Sequence, residues 1–251
     1  MNLRILLVTV GRILRQLRHD RRTITLLLVV PTALLTLVYY MYVDQPTPPG
    51  QPSTFDQVAL VMLGFFPFTV MFLVTSIAML RERTSGTLER LLTTPLAKAD
   101  LLFGYGIAFG LAGAVQAGVA SAVAYWVFGL ETAGSSGLVI MIAALNAVLA
   151  VALGLLCSAF ARTEFQAVQF MPVVVAPQLL LCGLFVPRDQ MAGWLQAISD
   201  ALPLTYAVEA LQEVGAHVEP TATMWRDVAI VAGAAVLALL LAAATLRRRS
   251  S

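Results

Sequence analysis

Apolar residues in this chain fall in long blocks, not in the short alternating or three-four patterns of a water-soluble fold. Windows without Asp, Glu, Lys or Arg cover residues 23–43, 57–80, 101–130, 132–161, 165–187 and 228–246, with lengths of 21, 24, 30, 30, 23 and 19 residues. A helix needs about 20 apolar residues to cross a hydrocarbon core of about 30 Å. The pattern therefore predicts six spans, at about 23–43, 57–80, 101–128, 136–160, 165–186 and 228–246. Open strands would leave backbone groups unpaired in lipid, so the spans are read as helices. Pro172 and Pro177 interrupt the fifth.

The first residues follow another rule. Leu3, Leu6, Leu7, Val10, Ile13, Leu14 and Leu17 recur at three-four spacing, and Arg4, Arg15 and Arg18 fall opposite. This predicts an amphipathic helix along the membrane surface, its arginines toward anionic headgroups. Residues 1–22 form an interfacial segment and 23–251 a transmembrane domain. The fold class is an all-α membrane protein.

Composition agrees with that reading. Of 251 residues, 59% are hydrophobic and 12% charged, against roughly 25% charged in a soluble domain. With the first span running outward, 14 of the 16 basic residues lie on one side, and only Arg188 and Arg226 on the other. The positive-inside rule then puts both termini in the cytoplasm, and six spans require both ends on one side. The basic stretch reaches Arg22 and a long apolar run follows, so a retained anchor is expected, not a cleaved leader. Cys157 and Cys182 sit inside apolar runs and offer no disulfide framework.

Catalytic chemistry is not apparent. A phosphate-cradling loop needs a glycine-rich turn ending in Gly-Lys-Ser/Thr. The sole lysine, Lys98, lies in Pro95-Leu96-Ala97-Lys98-Ala99-Asp100. His19 and His217 fall on opposite sides and can share neither a metal nor a triad. The polar residues in the windows are neutral: Thr69, Thr75, Ser76, Gln116, Ser121, Asn146, Ser158, Gln166, Gln169 and Gln178. They are expected to make hydrogen bonds between helices. Glu164 is expected at the cytoplasmic surface. The alternative reading, an ion-coupled carrier or channel working without an ATPase, needs an ionisable residue buried in a span. The windows hold none.

Two connecting segments carry more pattern. Residues 44–56 include Pro46, Pro48, Pro49 and Pro52 and read as an irregular outer loop. Residues 188–227 are long and moderately apolar. They predict two short helices near 191–199 and 205–214 at the outer surface. On the other side, residues 81–96 predict a short amphipathic helix at about 84–95. Thr84 or Ser85 would cap its start, Leu88, Leu91 and Leu92 would share a face, Glu82, Arg83, Glu89 and Arg90 would supply ion pairs, and Pro95 would stop it.

The run Glu82-x-x-x-Gly86-Thr87-Leu88-Glu89-x-Leu91-x-x-Thr94-Pro95 resembles the cytoplasmic segment of the ABC-2 family of ABC exporter permeases. A second stretch is similar to that family's outer segment: Gly183-Leu184-Phe185-Val186-Pro187, then Gly193-Trp194-Leu195, Leu202-Pro203-Leu204-Thr205-Tyr206 and Glu209-Ala210-Leu211. The daunorubicin-resistance and nodulation lipo-oligosaccharide permeases are the nearest in pattern. Gln212 and Glu213 stand where a basic residue often follows.

The resemblance implies a type V exporter-like fold in a bacterial inner membrane. Glu82, Gly86, Thr87, Leu88, Glu89, Leu91, Leu92, Thr94 and Pro95 would couple to separate ABC ATPase subunits, which carry ATP and magnesium; no cofactor is expected in this chain. Pro187, Gly193, Trp194, Pro203, Tyr206 and Glu209 would belong to an outer lid. A second copy or a paralogue and membrane lipids complete the implied partners, with no nucleic acid. The cargo would be an amphipathic drug, polyketide or lipid-linked molecule; no residue is assigned to binding it.

Overall fold

A computed structural model describes residues 3–47, 52–85 and 98–245. Helix α1 (Leu3–His19) is followed after one residue by α2 (Arg21–Tyr42). Then come α3 (Thr54–Thr84), α4 (Lys98–Trp126), α5 (Ser136–Cys157) and α6 (Glu164–Leu181). A single 3₁₀ turn at Arg188–Gln190 leads to α7 (Gly193–Ala201), α8 (Pro203–Ala216) and α9 (Ala222–Thr245). Helices α2, α3, α4, α5, α6 and α9 are each long and apolar enough to cross a membrane. The chain is a multi-pass membrane protein, as the apolar windows predict.

Local chemistry fixes the helix ends. Asp20 separates α1 from α2 and accepts a hydrogen bond from the backbone N–H of Thr23 at 3.2 Å. Ser53 and Asp56 form a reciprocal capping box at the start of α3. Ser135 and Thr163 cap α5 and α6, and Pro203 sits in the first turn of α8, where a missing N–H costs nothing.

Helix α5 forms the centre, packed against α3, α4 and α9. Lipid tails are as apolar as leucine, so close packing and hydrogen bonds hold such helices together. At Gly154 of α5 a Cβ atom would stand 2.6 Å from the Phe72 carbonyl oxygen of α3. Just over two turns away, Asn146 donates through Nδ2 to the Gly64 carbonyl at 2.8 Å. Helix α1 docks on α4 through Leu6, Thr9, Val10 and Ile13. Its close approach comes at Gly104, where a Cβ would meet Thr9 Cγ2 at 2.7 Å. The predicted stripe is therefore real, but its centre faces protein, while Leu3, Leu7 and Val8 stay exposed.

Several boundaries differ from the sequence reading; α3 runs on to Thr84 and α6 stops at Leu181. Helices α3, α4 and α9 begin before the windows do, and so carry Asp56, Asp100 and Asp227, all buried. Delimiting spans by charge placed these ends too late. A carboxylate can join a span's first turns when local donors satisfy it: Asp56 accepts from Ser53 and from the Glu131 backbone N–H at 3.0 Å. The expectation of no buried ionisable residue is thus corrected at the span ends, while the middles hold only neutral polar groups. Thr84 belongs to α3 and bonds back to the Leu80 carbonyl at 3.0 Å, so it does not start a following helix.

Candidate functional site

One face of the bundle, called the termini face, carries α1 and the end of α9, and the opposite face carries α7 and α8. On the termini face, Glu82 near the end of α3 is 13% exposed and turns inward. Arg12 of α1 lies 3.4 Å from its Oε1, and the Tyr105 hydroxyl of α4 donates to the same oxygen. Three elements thus meet on one carboxylate, and α1 is tied to the point where α3 ends. Glu82 was expected to face a partner; its carboxylate is committed within the chain. Gly86, Thr87, Leu88, Glu89, Leu91, Leu92, Thr94 and Pro95 lie outside the described residues.

Beside this node, Arg81 grips Glu164 at the start of α6, with Nε 2.7 Å from Oε1 and Nη2 3.0 Å from Oε2. Both partners are exposed, which agrees with the surface position expected of Glu164. Asp20 accepts from the Thr23 hydroxyl at 2.6 Å as well as from its N–H. These bonds hold its carboxyl below the ordinary value.

On the opposite face the two predicted short helices are present, near their expected limits. Helix α8 packs into the bundle. Its Leu204, Ala207, Val208, Ala210, Leu211 and Val214 are buried, and Leu211 reaches Gly64 of α3, about 15 Å along that helix from its start. Arg188 organises the segment. Its guanidinium pairs with Asp200 at the end of α7 and with Glu209 of α8, and lies 6.0 Å from the Tyr206 ring centroid. Tyr206 donates to the Asp200 carbonyl at 2.7 Å.

Tyr206 and Glu209 thus meet in one cluster. Pro187 precedes the 3₁₀ turn, Gly193 opens α7, Pro203 opens α8, and Trp194 is exposed. With Trp126 and Trp225, Trp194 places all three tryptophans at this face, the position of an interfacial aromatic belt.

Sequence reading missed Arg12, Tyr105, Arg188 and Asp200. Arg188 carried a signal, since it is one of only two basic residues on its side. Of the neutral polar residues, Asn146 and Gln178 bridge helices as expected: Gln178 Oε1 accepts from the Leu204 N–H at 3.2 Å. Thr69 and Ser158 instead bond to their own helices, at Phe65 and Leu155, and Gln166 to the Arg162 N–H. Among the described residues no group of three or more His, Cys, Asp or Glu could hold a metal ion.

The sequence profile of a family described as ABC-2 type transporter matches residues 4–214. The chain belongs to the ABC-2 type transporter family. It is similar to the "Linearmycin resistance permease protein LnrN" of Bacillus subtilis (strain 168), 30% identical over 138 residues, 55% of this chain and 36% of that protein. It is also similar to the "Probable multidrug ABC transporter permease YbhR" of Escherichia coli (strain K12), 29% identical over 142 residues, covering 57% and 39%. A third relative, "ABC transporter G family member 20" of Dictyostelium discoideum, is 27% identical over 171 residues, covering 67% and 23%. The chain thus spans less than two fifths of the length of each of these relatives.

Proposed function

We propose that the chain is the membrane-spanning permease subunit of an ATP-driven exporter in a bacterial inner membrane, with both termini cytoplasmic. It works with a second copy or a paralogue, and with separate ABC ATPase subunits that bind ATP and magnesium. The family membership supports this reading, and the observation that carries it is the Arg12–Glu82–Tyr105 node. That node joins the surface helix α1 to the end of α3, from which residues 86–95 continue with the family's coupling motif. A push on this segment by a closing ATPase is delivered to α1, α3 and α4 together, a rigid-body route to inward- and outward-facing states. Leu88, Leu91 and Leu92 supply an apolar docking face, and the neighbouring charges set register.

The cargo in this reading is amphipathic: a drug, a polyketide or a lipid-linked molecule. The resistance and multidrug names of two relatives support efflux. Pro187, Gly193, Trp194, Pro203, Tyr206 and Glu209 then belong to a lid over the exit. Co-purification of the ATPase with wild type, and its loss in Leu88→Asp/Leu91→Asp, is the expected result; undiminished association and transport in that variant overturn the coupling assignment. Orientation is tested separately: Glu219→Cys reacts with an impermeant thiol reagent in intact cells, and Gly86→Cys does not.

A carrier driven by an ion gradient is the second reading, favoured by the buried Asp227 of α9. That carboxylate lies in the helix's first turns beside Arg226, at 2.8 Å, not at mid-span. Solute movement by the purified subunit alone in liposomes, driven only by a gradient, is the outcome that selects it.

A further inference from the structure

On the termini face a cleft of about 860 Å³ opens between α1 and α2 on one side and α3 and α4 on the other. Its size is that of a small-molecule site, and its walls are graded. Toward the middle of the bundle it is lined by Leu26, Leu73, Val74, Ile77 and Phe109. At the end nearest the termini it is lined by Gln16, Asp20, Thr23, Arg81 and Glu82. Its α3 wall runs from Leu73 to Ser85, about 18 Å at the helical rise. That is close to the ~15 Å depth of one leaflet, half of a ~30 Å core.

The polar end holds both signs of charge. Arg81 uses two of its five N–H donors on Glu164, which leaves donors for a phosphate. Asp20 is exposed, and its hydrogen bonds come from the start of its own helix, from Thr23 and the Arg22 backbone N–H, which leaves its outward face for a cation. Arg81 and Asp20 are near enough for each to feel the other's charge. A head that satisfies both carries an ammonium and a phosphate a few ångströms apart, with an apolar chain leaving in one direction.

We propose that this cleft is a binding site for an aminophospholipid of the cytoplasmic leaflet, its ammonium on Asp20, its phosphate on Arg81 and one acyl chain laid along Leu73, Val74 and Ile77. The exporter reading enters only in naming the leaflet. Occupancy needs neither ATP nor transport, so an empty cleft leaves that reading standing, and an occupied one does not establish it.

The test uses the full chain in nanodiscs doped with phosphatidylethanolamine bearing a diazirine on its acyl chain, beside a matched phosphatidylglycerol probe. After photolysis, adducts are mapped by peptide mass spectrometry. The expected result is ethanolamine-probe labelling of residues 73–78 about tenfold above that on the exposed α9 positions Val236, Leu237 and Leu240. Ala78→Trp, which fills the cleft, abolishes this labelling. Asp20→Asn keeps a good helix cap and removes the preference for ethanolamine over glycerol. Uniform labelling of α3 and α9, or equal labelling by the two probes in the wild type, overturns the proposal. So does equal labelling by a long-chain amine lacking phosphate, which would make the cleft a site for cationic amphiphiles generally.

Discussion

Arg81 and Glu164 join the end of the second span to the start of the fifth through two parallel hydrogen bonds of 2.7 and 3.0 Å. The fork of a guanidinium matches a carboxylate in this way. Water reaches both partners, so the pair positions its helices more than it stabilises them. Arg81→Gln is expected to lower unfolding stability only slightly, as for other exposed pairs. The charge-swapped pair Arg81→Glu/Glu164→Arg recovers most of that loss. Thermal unfolding in detergent at low and high salt checks both points, because an exposed pair weakens with ionic strength. A loss several times larger contradicts the surface assignment.

Acid loosens the α1–α2 junction. The Thr23 bonds hold the Asp20 carboxyl below its usual value, so the folded state favours the ionised form. Its contribution is fully present above about pH 4, the ordinary aspartate range, and is lost as pH falls through the lowered folded value. Asp20→Ala is expected to cost about 1 kcal/mol at neutral pH. Asp20→Asn keeps the cap and flattens the acid dependence. Unfolding midpoints at pH 3 and pH 6 for the three proteins provide the comparison.

On the opposite face, Arg188 holds α7 and α8 together through two carboxylates and an aromatic ring. Arg188→Ala is expected to speed amide exchange across residues 193–216 and to cost about 1–3 kcal/mol. Lysine does not restore protection, since a point charge on a flexible stem cannot serve two carboxylates and a ring at once. Full protection in Arg188→Lys would show that one of the two pairs is dispensable.

Gly154 sets the distance between α3 and α5. A methyl group there meets the Phe72 carbonyl at 2.6 Å, and neither backbone can yield without moving its helix. Gly154→Ala is expected to destabilise the bundle by about 1–3 kcal/mol. Gly233, whose Cβ would meet nothing within 4 Å, is the control: Gly233→Ala is neutral or slightly stabilising by helix propensity. Comparable losses at both sites contradict the packing account.

The spans, the amphipathic first helix and the two short helices α7 and α8 were legible because each is written in local periodicity or in a run of apolar residues. Span ends were not. Asp56 reads as a boundary until its capping partner Ser53 and the distant Glu131 N–H are in view. Glu82 shows the same limit. Its sequence neighbours put it in the run that resembles the ABC-2 cytoplasmic segment, but its partners Arg12 and Tyr105 are 70 and 23 residues away. Long-range pairing of a charged side chain leaves no trace in a periodicity, so the direction of this carboxylate was not readable.

Helix α6 is thinly packed along its flank, with only Ala167, Val175 and Gln178 buried. It is nevertheless fastened at its two extremities. Arg81 holds one end. At the other, Gln178 accepts from the Leu204 N–H and the Ser199 hydroxyl donates to the Leu181 carbonyl at 2.8 Å. A shaft pinned at its tips and loose between them, with Pro172 and Pro177 each removing an internal N–H donor, cannot tilt without disturbing both sides of the bilayer in the same stroke.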